Sequence, residues 1–307
     1  MAIDYAYRLL IGLSLWLISF IVPGSSAVAQ QGDAALAPSM EPGLGFAVAF
    51  DFKSESLDNP TLGERPQDDL RAFEEEIQLG LSYRRDAFLA FGEIKGIADQ
   101  AVYADERPGE SEATLERGEM WLLFNQVLYG HFSLQIGRQH FLDPHLWWWD
   151  ADLDAVRFYY AHALWRLYVG IAEELGPVAT NRDFIDPNDE KVRRWLGHVG
   201  LTLSEQLHLG GFFLAQRDRS DAPAVRQTVE GVREDSSDAN LLWAGLRATG
   251  VFAESPYGRL GYRADIALVT GDETLAEFEQ ETSGYHRVTG TQQRKVRGWA
   301  ANADVTW

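Results

Sequence analysis

The chain has 307 residues, with 46 acids against 27 bases, a formal charge of −19 and no cysteine. The missing cysteine excludes a disulfide framework, a thiolate metal site and a thiol nucleophile, and the acidic balance argues against a nucleic-acid binder. Hydrophobic residues at 46% and charged residues at 24% argue against wholesale disorder, and beyond the first thirty residues no apolar run reaches the length of a spanning helix.

The chain opens with Arg8, an apolar run over 9–22, a break at Pro23 and Gly24, and Ala27-Val28-Ala29. A charged start, an apolar middle and an A-x-A site describe a secretory signal over 1–29. The alternative, a retained anchor helix, would need a longer run. Residues 30–43 are then an N-terminal periplasmic segment, and 44–307 form one domain.

That domain alternates with period two. Leu44, Phe46, Val48, Phe50 and Phe52 oppose Gly45, Ala47, Ala49 and Asp51. Phe73, Ile77, Leu79, Leu81 and Tyr83 oppose Glu74, Glu76, Gln78, Gly80 and Ser82. Trp165, Leu167, Val169 and Ile171 oppose Arg166, Tyr168 and Gly170, and Leu260, Tyr262, Ala264, Ile266 and Leu268 oppose Arg259, Gly261, Arg263 and Asp265. Twelve strands are expected, near 44–52, 72–83, 87–97, 113–126, 131–139, 153–161, 164–171, 193–203, 207–216, 239–250, 259–270 and 294–307. Short connectors alternate with long segments at 53–71, 99–112, 140–153, 172–192, 217–238 and 271–283. This rhythm, with strands of about ten residues and one polar face, predicts an all-β, antiparallel transmembrane β-barrel of the outer-membrane kind. The six long segments hold thirty acids and ten bases, so the acidity belongs to the outer loops and the wall is balanced. Contact with lipid and anionic lipopolysaccharide through divalent ions accounts for it.

Side chains that share a face with glycines should point into water. This places Arg157, Arg166, Arg194, Arg247, Arg259 and Arg263 in the lumen, with Tyr168, His198, Asp51, Glu74, Glu76, Glu93 and Asp265. A guanidinium keeps its charge at any working pH and forks onto carboxylates. Arginines facing a channel favour anions over cations. Arginine–carboxylate pairs that only brace the wall are the other reading of the same residues.

From 136 to 160 the chain reads IGRQHFLDPHLWWWDADLDAVRFYY. This resembles the alginate export family of outer-membrane porins. The likeness lies in Gly137-Arg138-Gln139 at a strand end, the acidic and aromatic loop with Asp143, Trp148 and Asp150, and Leu153-Asp154-Ala155-Val156-Arg157 entering the next strand. The resemblance implies an eighteen-stranded barrel with an arginine-lined channel for an anionic polysaccharide. It makes Arg138, Asp154 and Arg157 constriction or wall-bracing residues. Twelve strands are fewer than the family uses, so the chain reads as part of a larger barrel; the alternative is a complete barrel ended by the aromatic Trp307. A near-neutral wall also speaks against alginate itself as the solute.

Trp147, Trp148 and Trp149 fit an interfacial aromatic belt, or a sugar-stacking platform at the mouth. The histidines show no H-x-x-H or H-E-x-x-H grouping, and no G-x-S-x-G elbow or Walker loop appears. The residues therefore predict a passive outer-membrane porin for anionic or polar solutes, with no cofactor and with periplasmic export components as possible partners. The alternatives are a barrel lipase or protease, with His162 or His198 beside a serine, and a closed adhesin-like barrel.

Overall fold

Alternating side chains suit an extended, pleated chain, whose successive Cβ atoms point to opposite faces. In the computed structural model this produces a single antiparallel sheet. The structure describes residues 41–57, 70–103, 108–127, 130–143, 150–204, 206–220, 223–255 and 258–307. The expected signal and the three tryptophans 147–149 lie outside these residues.

The strands are β1 (Gly43–Leu57), β2 (Leu70–Arg85), β3 (Phe88–Tyr103), β4 (Pro108–Val127), β5 (Phe132–Leu142), β6 (Asp150–Ala161), β7 (Trp165–Glu173), β8 (Arg193–Ser204), β9 (Leu207–Arg217), β10 (Thr228–Glu230), β11 (Ser237–Ser255), β12 (Gly258–Thr282) and β13 (Tyr285–Thr306). Each long strand pairs with its sequence neighbour, giving the order β1-β2-β3-β4-β5-β6-β7-β8-β9-β11-β12-β13-β10. Among the described residues the sheet is not closed, and its edge strands are β1 and β10. Among the described residues no helix is long and apolar enough to cross a membrane, which says nothing of crossing by strands.

Burial is inverted relative to a water-soluble domain. Leu44 and Phe46 on β1, Leu246 on β11 and Trp299 on β13 are each about two-thirds to three-quarters exposed. Gln78, Ser82, Glu93 and Asp265 on the opposite face are buried. Each large apolar side chain left in water forgoes roughly 1.5–3 kcal/mol, and a continuous exposed apolar face far exceeds what soluble monomers carry. Hydrocarbon around the apolar face would remove that cost.

Three sequence expectations need correction. Residues 271–283 are not a loop: β12 runs on for 25 residues and turns back at Ser283-Gly284, where Gly284 supplies φ +79°. The segment is acidic, which mimics a solvated loop. Its acids instead face bases across the pair, Asp272 opposite Lys295, Glu273 opposite Arg294 and Glu279 opposite Arg287, and opposite charges at such positions support a ladder. Likewise 99–112 is mostly strand, since β3 reaches Tyr103 and β4 starts at Pro108. The third correction is the strand count. Among the described residues thirteen strands form, because the long segment after β9 contributes β10, which pairs with Tyr285–Arg287 on the far edge of β13.

Candidate functional site

The site begins at a glycine. β4 and β5 pair from Val127–Phe132 up to Met120–Arg138, and there the ladder between them ends. Gly137, beside that point, has φ +124°, a backbone state that side chains oppose. A Cβ at this position would lie 2.2 Å from the Met120 carbonyl oxygen and 2.8 Å from Trp121 Cα. Above it, β5 stays paired with β6 alone, Gln139 opposite Leu153 and Leu142 opposite Asp150. The vacated edge of β4 is taken by the segment after β7. Arg117 N–H donates to the Val178 carbonyl at 3.0 Å, and Thr180 N–H to that of Leu115 at 2.9 Å.

The freed end of the β5–β6 hairpin leans over the polar face. Phe141, Leu153 and Ala155 pack with Ala172 of β7, Leu196 of β8 and Leu214 of β9 in one buried cluster. Asp143, just past β5, lies 3.5 Å from Arg247 on β11. From the other side, Asp152 of β6 lies 3.8 Å from Lys95, which shares the polar face of β3 with Glu93. His140 shares a hydrogen bond with Asp152 at 2.9 Å.

Behind the hairpin sits an ionic cluster. Arg138 Nη1 donates to both carboxylate oxygens of Glu174, at 2.8 and 2.7 Å, and both residues are about 95% buried. Arg117 also bonds Glu174, and it forks onto Asp154 at 3.3 and 3.2 Å. Its Nε donates to the Pro177 carbonyl at 2.9 Å. Leu175 N–H donates to Asp154 at 3.0 Å, while the Leu175 side chain is exposed. Residues 174–180 therefore act as a strap, with carboxylate turned in and apolar side chains turned out.

Arg157 lies on the polar face, opposite Gly170. Its guanidinium carbon stands 4.1 Å from the centre of the Phe141 ring and 5.2 Å from that of Tyr168. Nη1 donates to the Tyr159 hydroxyl at 2.9 Å, which donates in turn to Gln135. Nε and Nη2 are buried and have no hydrogen-bond partner among the described residues. A cavity of about 230 Å³ opens here, lined by Arg157, Phe141, Asp143, Tyr168, His198 and Arg247 among others.

The remaining candidates distribute as follows. Arg247 bonds Asp265 on β12 as well as approaching Asp143. Arg194 donates to Asp189 at 2.9 Å and to Gln216 at 3.3 Å. Arg166 is exposed at the short-turn end of β7, opposite Ala161 of β6. Arg259 and Arg263 share a face at the start of β12, with Arg263 opposite Asp304. Among the described residues Arg157, Arg166, Arg259 and Arg263 make no ion pair. Glu74 accepts from Lys53 at 3.1 Å, and Glu76 from Gln78 at 2.7 Å. These two stand on β2, away from the arginines of β6–β12. His198 stacks on Tyr168 with centroids 5.7 Å apart, and His162 on Tyr160 at 6.5 Å.

Glu174, Phe141 and the opposition of Asp143 to Arg247 were not singled out from sequence. The only local signal was the position of Phe141 and Asp143 within the resembling segment.

No family model matches the chain. It is similar to the alginate production protein AlgE of Pseudomonas aeruginosa, with 22% identity over 194 residues. The match covers 62% of this chain and 39% of that protein, so the chain spans about two-fifths of the relative it matches. With the all-strand fold, the likeness supports a β-barrel of the outer-membrane kind.

Proposed function

We propose that this sheet is the wall of an outer-membrane pore for anionic or polar solutes, an anionic polysaccharide among them, selected by guanidinium groups on its polar face. The observation that carries the reading is Arg157. Its charge is held by aromatic rings, and among the described residues two of its N–H-bearing nitrogens have no acceptor. A buried donor left unsatisfied is costly. These two nitrogens are closed to solvent, so a passing carboxylate or sulfate would meet the guanidinium charge across the cavity that Arg157 lines. Arg247 and Arg138 are neutralised by Asp265 and Glu174; they brace the wall and the hairpin. The inward hairpin then narrows the channel beside Arg157, so that selection is steric as well as electrostatic. The name of the relative, an alginate production protein, agrees with an anionic polymer as cargo. The acidic long-loop ends fit a cation-bridged contact with lipopolysaccharide.

The test is conductance of the full chain in planar bilayers under a potassium chloride gradient. We expect an anion-selective reversal potential that moves toward zero in Arg157→Ala. A pore whose selectivity is the same with and without Arg157 contradicts the role given to that residue. No conductance under any condition contradicts the pore.

A further inference from the structure

The face turned away from Arg157 carries a cation pair that the ladder leaves uncompensated. Arg193 of β8 stands directly opposite Arg217 of β9, and like charges at such positions repel. Both share the outward face with Trp195 and Ala215, which oppose each other two residues further along. Glu173 accepts from Arg193 at 2.8 Å, but it also accepts from Arg219, at 3.0 and 3.1 Å. From Ala215 the register runs through Leu242 of β11 and Thr270 of β12 to Arg297 of β13. Lys295 lies two residues above Arg297 on the same face, opposite Asp272. Among the described residues neither Arg217 nor Arg297 makes an ion pair. Three interstrand spacings, about 14 Å, separate Arg297 from β9.

Below these cations lies an apolar cavity of about 570 Å³, lined by Leu167, Val199, Gly211, Phe213, Leu246 and Leu268 among others. Register puts these side chains on the same outward face: Leu167 opposes Val199, Val199 opposes Gly211, and Gly211 opposes Leu246. Gly211 forms the floor. A Cβ there would meet Val199 at 3.5 Å and Leu246 at 3.7 Å, which is ordinary contact. The space is therefore left open by a missing side chain and not by strain. Phe213 is four residues below Arg217 on β9, about 13 Å of strand. Trp195 stands between the two levels, as tryptophans do where headgroups meet hydrocarbon. Two separated cation groups above an apolar groove, on the same strands, match a lipid with two phosphates on its head and several acyl chains. A lipid with one phosphate would reach only one of the two groups.

We propose that the outward face of β8–β13 binds a diphosphorylated, multiply acylated disaccharide lipid, the membrane anchor of lipopolysaccharide. Arg193 and Arg217 take one phosphate, Lys295 and Arg297 the other, and an acyl chain lies over Gly211. The proposal rests on the outer-membrane reading above, since it needs lipid on this face. The contact is direct and uses no bridging cation, so the assay is run in excess EDTA. The full chain in detergent is freed of lipid, mixed with purified lipid A and read by native mass spectrometry. Dephosphorylated lipid A and phosphatidylglycerol are the comparison probes. We expect a discrete lipid A adduct, and binding of either comparison lipid weaker by about tenfold or more, the size of one lost charge-assisted hydrogen bond. R217Q/R297Q and G211V should each weaken lipid A binding by about the same factor, and R217K should restore most of what R217Q loses. Circular dichroism in detergent checks that each variant is folded; R217Q alone, which breaks no ion pair among the described residues, serves where G211V does not assemble. Equal binding of either comparison lipid, or lipid A binding unchanged in the folded variants, overturns the site. Conductance of the same samples separates this claim from the pore: anion-selective current without a lipid A adduct sinks the site and leaves the pore, and an adduct without current does the reverse.

Discussion

Asp143 and Arg247 approach to 3.5 Å although their strands, β5 and β11, stand five places apart in the sheet. Five interstrand spacings are about 24 Å along the wall. The contact exists because the hairpin leaves the wall at Gly137 and crosses the polar face. Asp143 is thus the far anchor of an inward fold, and Arg247 is its dock. Asp143→Ala should loosen that anchor. Arg247 keeps Asp265, so the cost falls in the range for one lost buried polar contact, about 1–3 kcal/mol. Single-channel conductance should rise and become noisier. An unchanged, quiet conductance would show that the hairpin does not narrow the path.

Arg138 and Glu174 call for a double-mutant cycle. Both are buried, and Arg117 stands against the same carboxylate. Glu174→Ala leaves two guanidinium groups facing each other without their shared anion. Breaking such a pair from one side costs about 3–5 kcal/mol. Arg138→Ala/Glu174→Ala should cost less than the sum of the single changes, because it strands no charge on that pair. Urea unfolding in lipid vesicles reads the coupling. Additive costs would mean that Arg138 and Glu174 are neighbours without being partners.

These contacts mark where sequence reasoning stops. The faces of β1, β2, β7 and the lower half of β12 were legible, because period-two alternation is local. The upper halves of β12 and β13 were not. Their charges imitate solvated loop, and only the partner strand shows that Glu273 has Arg294 opposite. β10 is three residues long and has no alternation to read. Arg138 could be picked out, but its partner lies 36 residues later in a segment without periodicity. Sequence likewise put Arg247 on the polar face with Asp265, yet the approach of Asp143 depends on a backbone kink that spacing alone does not reveal.

Gly137 is that kink. Gly137→Ala must accept both the positive φ and a Cβ 2.2 Å from a carbonyl oxygen. The nearest atoms are backbone, so no side chain can swing away. A strained backbone state alone costs of order 1–3 kcal/mol, and the clash adds to it. We expect poor assembly, or an unfolding midpoint in lipid well below wild type. Gly130→Ala is the control for backbone conformation, since it has φ +80° but nothing within 4 Å of the added Cβ; it should lose less. Equal losses at the two positions would mean that the close approach to β4 carries no weight.

Leu246 and Arg247 are adjacent on β11 and point to opposite faces. Leu246 is 66% exposed among other apolar side chains, while Arg247 lies between Asp143 and Asp265. If hydrocarbon covers the outer face, Leu246→Arg places a charge in lipid and should cost about 2–4 kcal/mol near the bilayer midplane. In water the same change would remove an exposed apolar group and cost almost nothing. The comparison therefore separates the two solvents with one substitution. Unfolding of Leu246→Arg in vesicles should show the loss, and Leu246→Val should show little. If the arginine is tolerated as well as valine, lipid does not touch this face, and the inverted burial of the sheet needs another explanation.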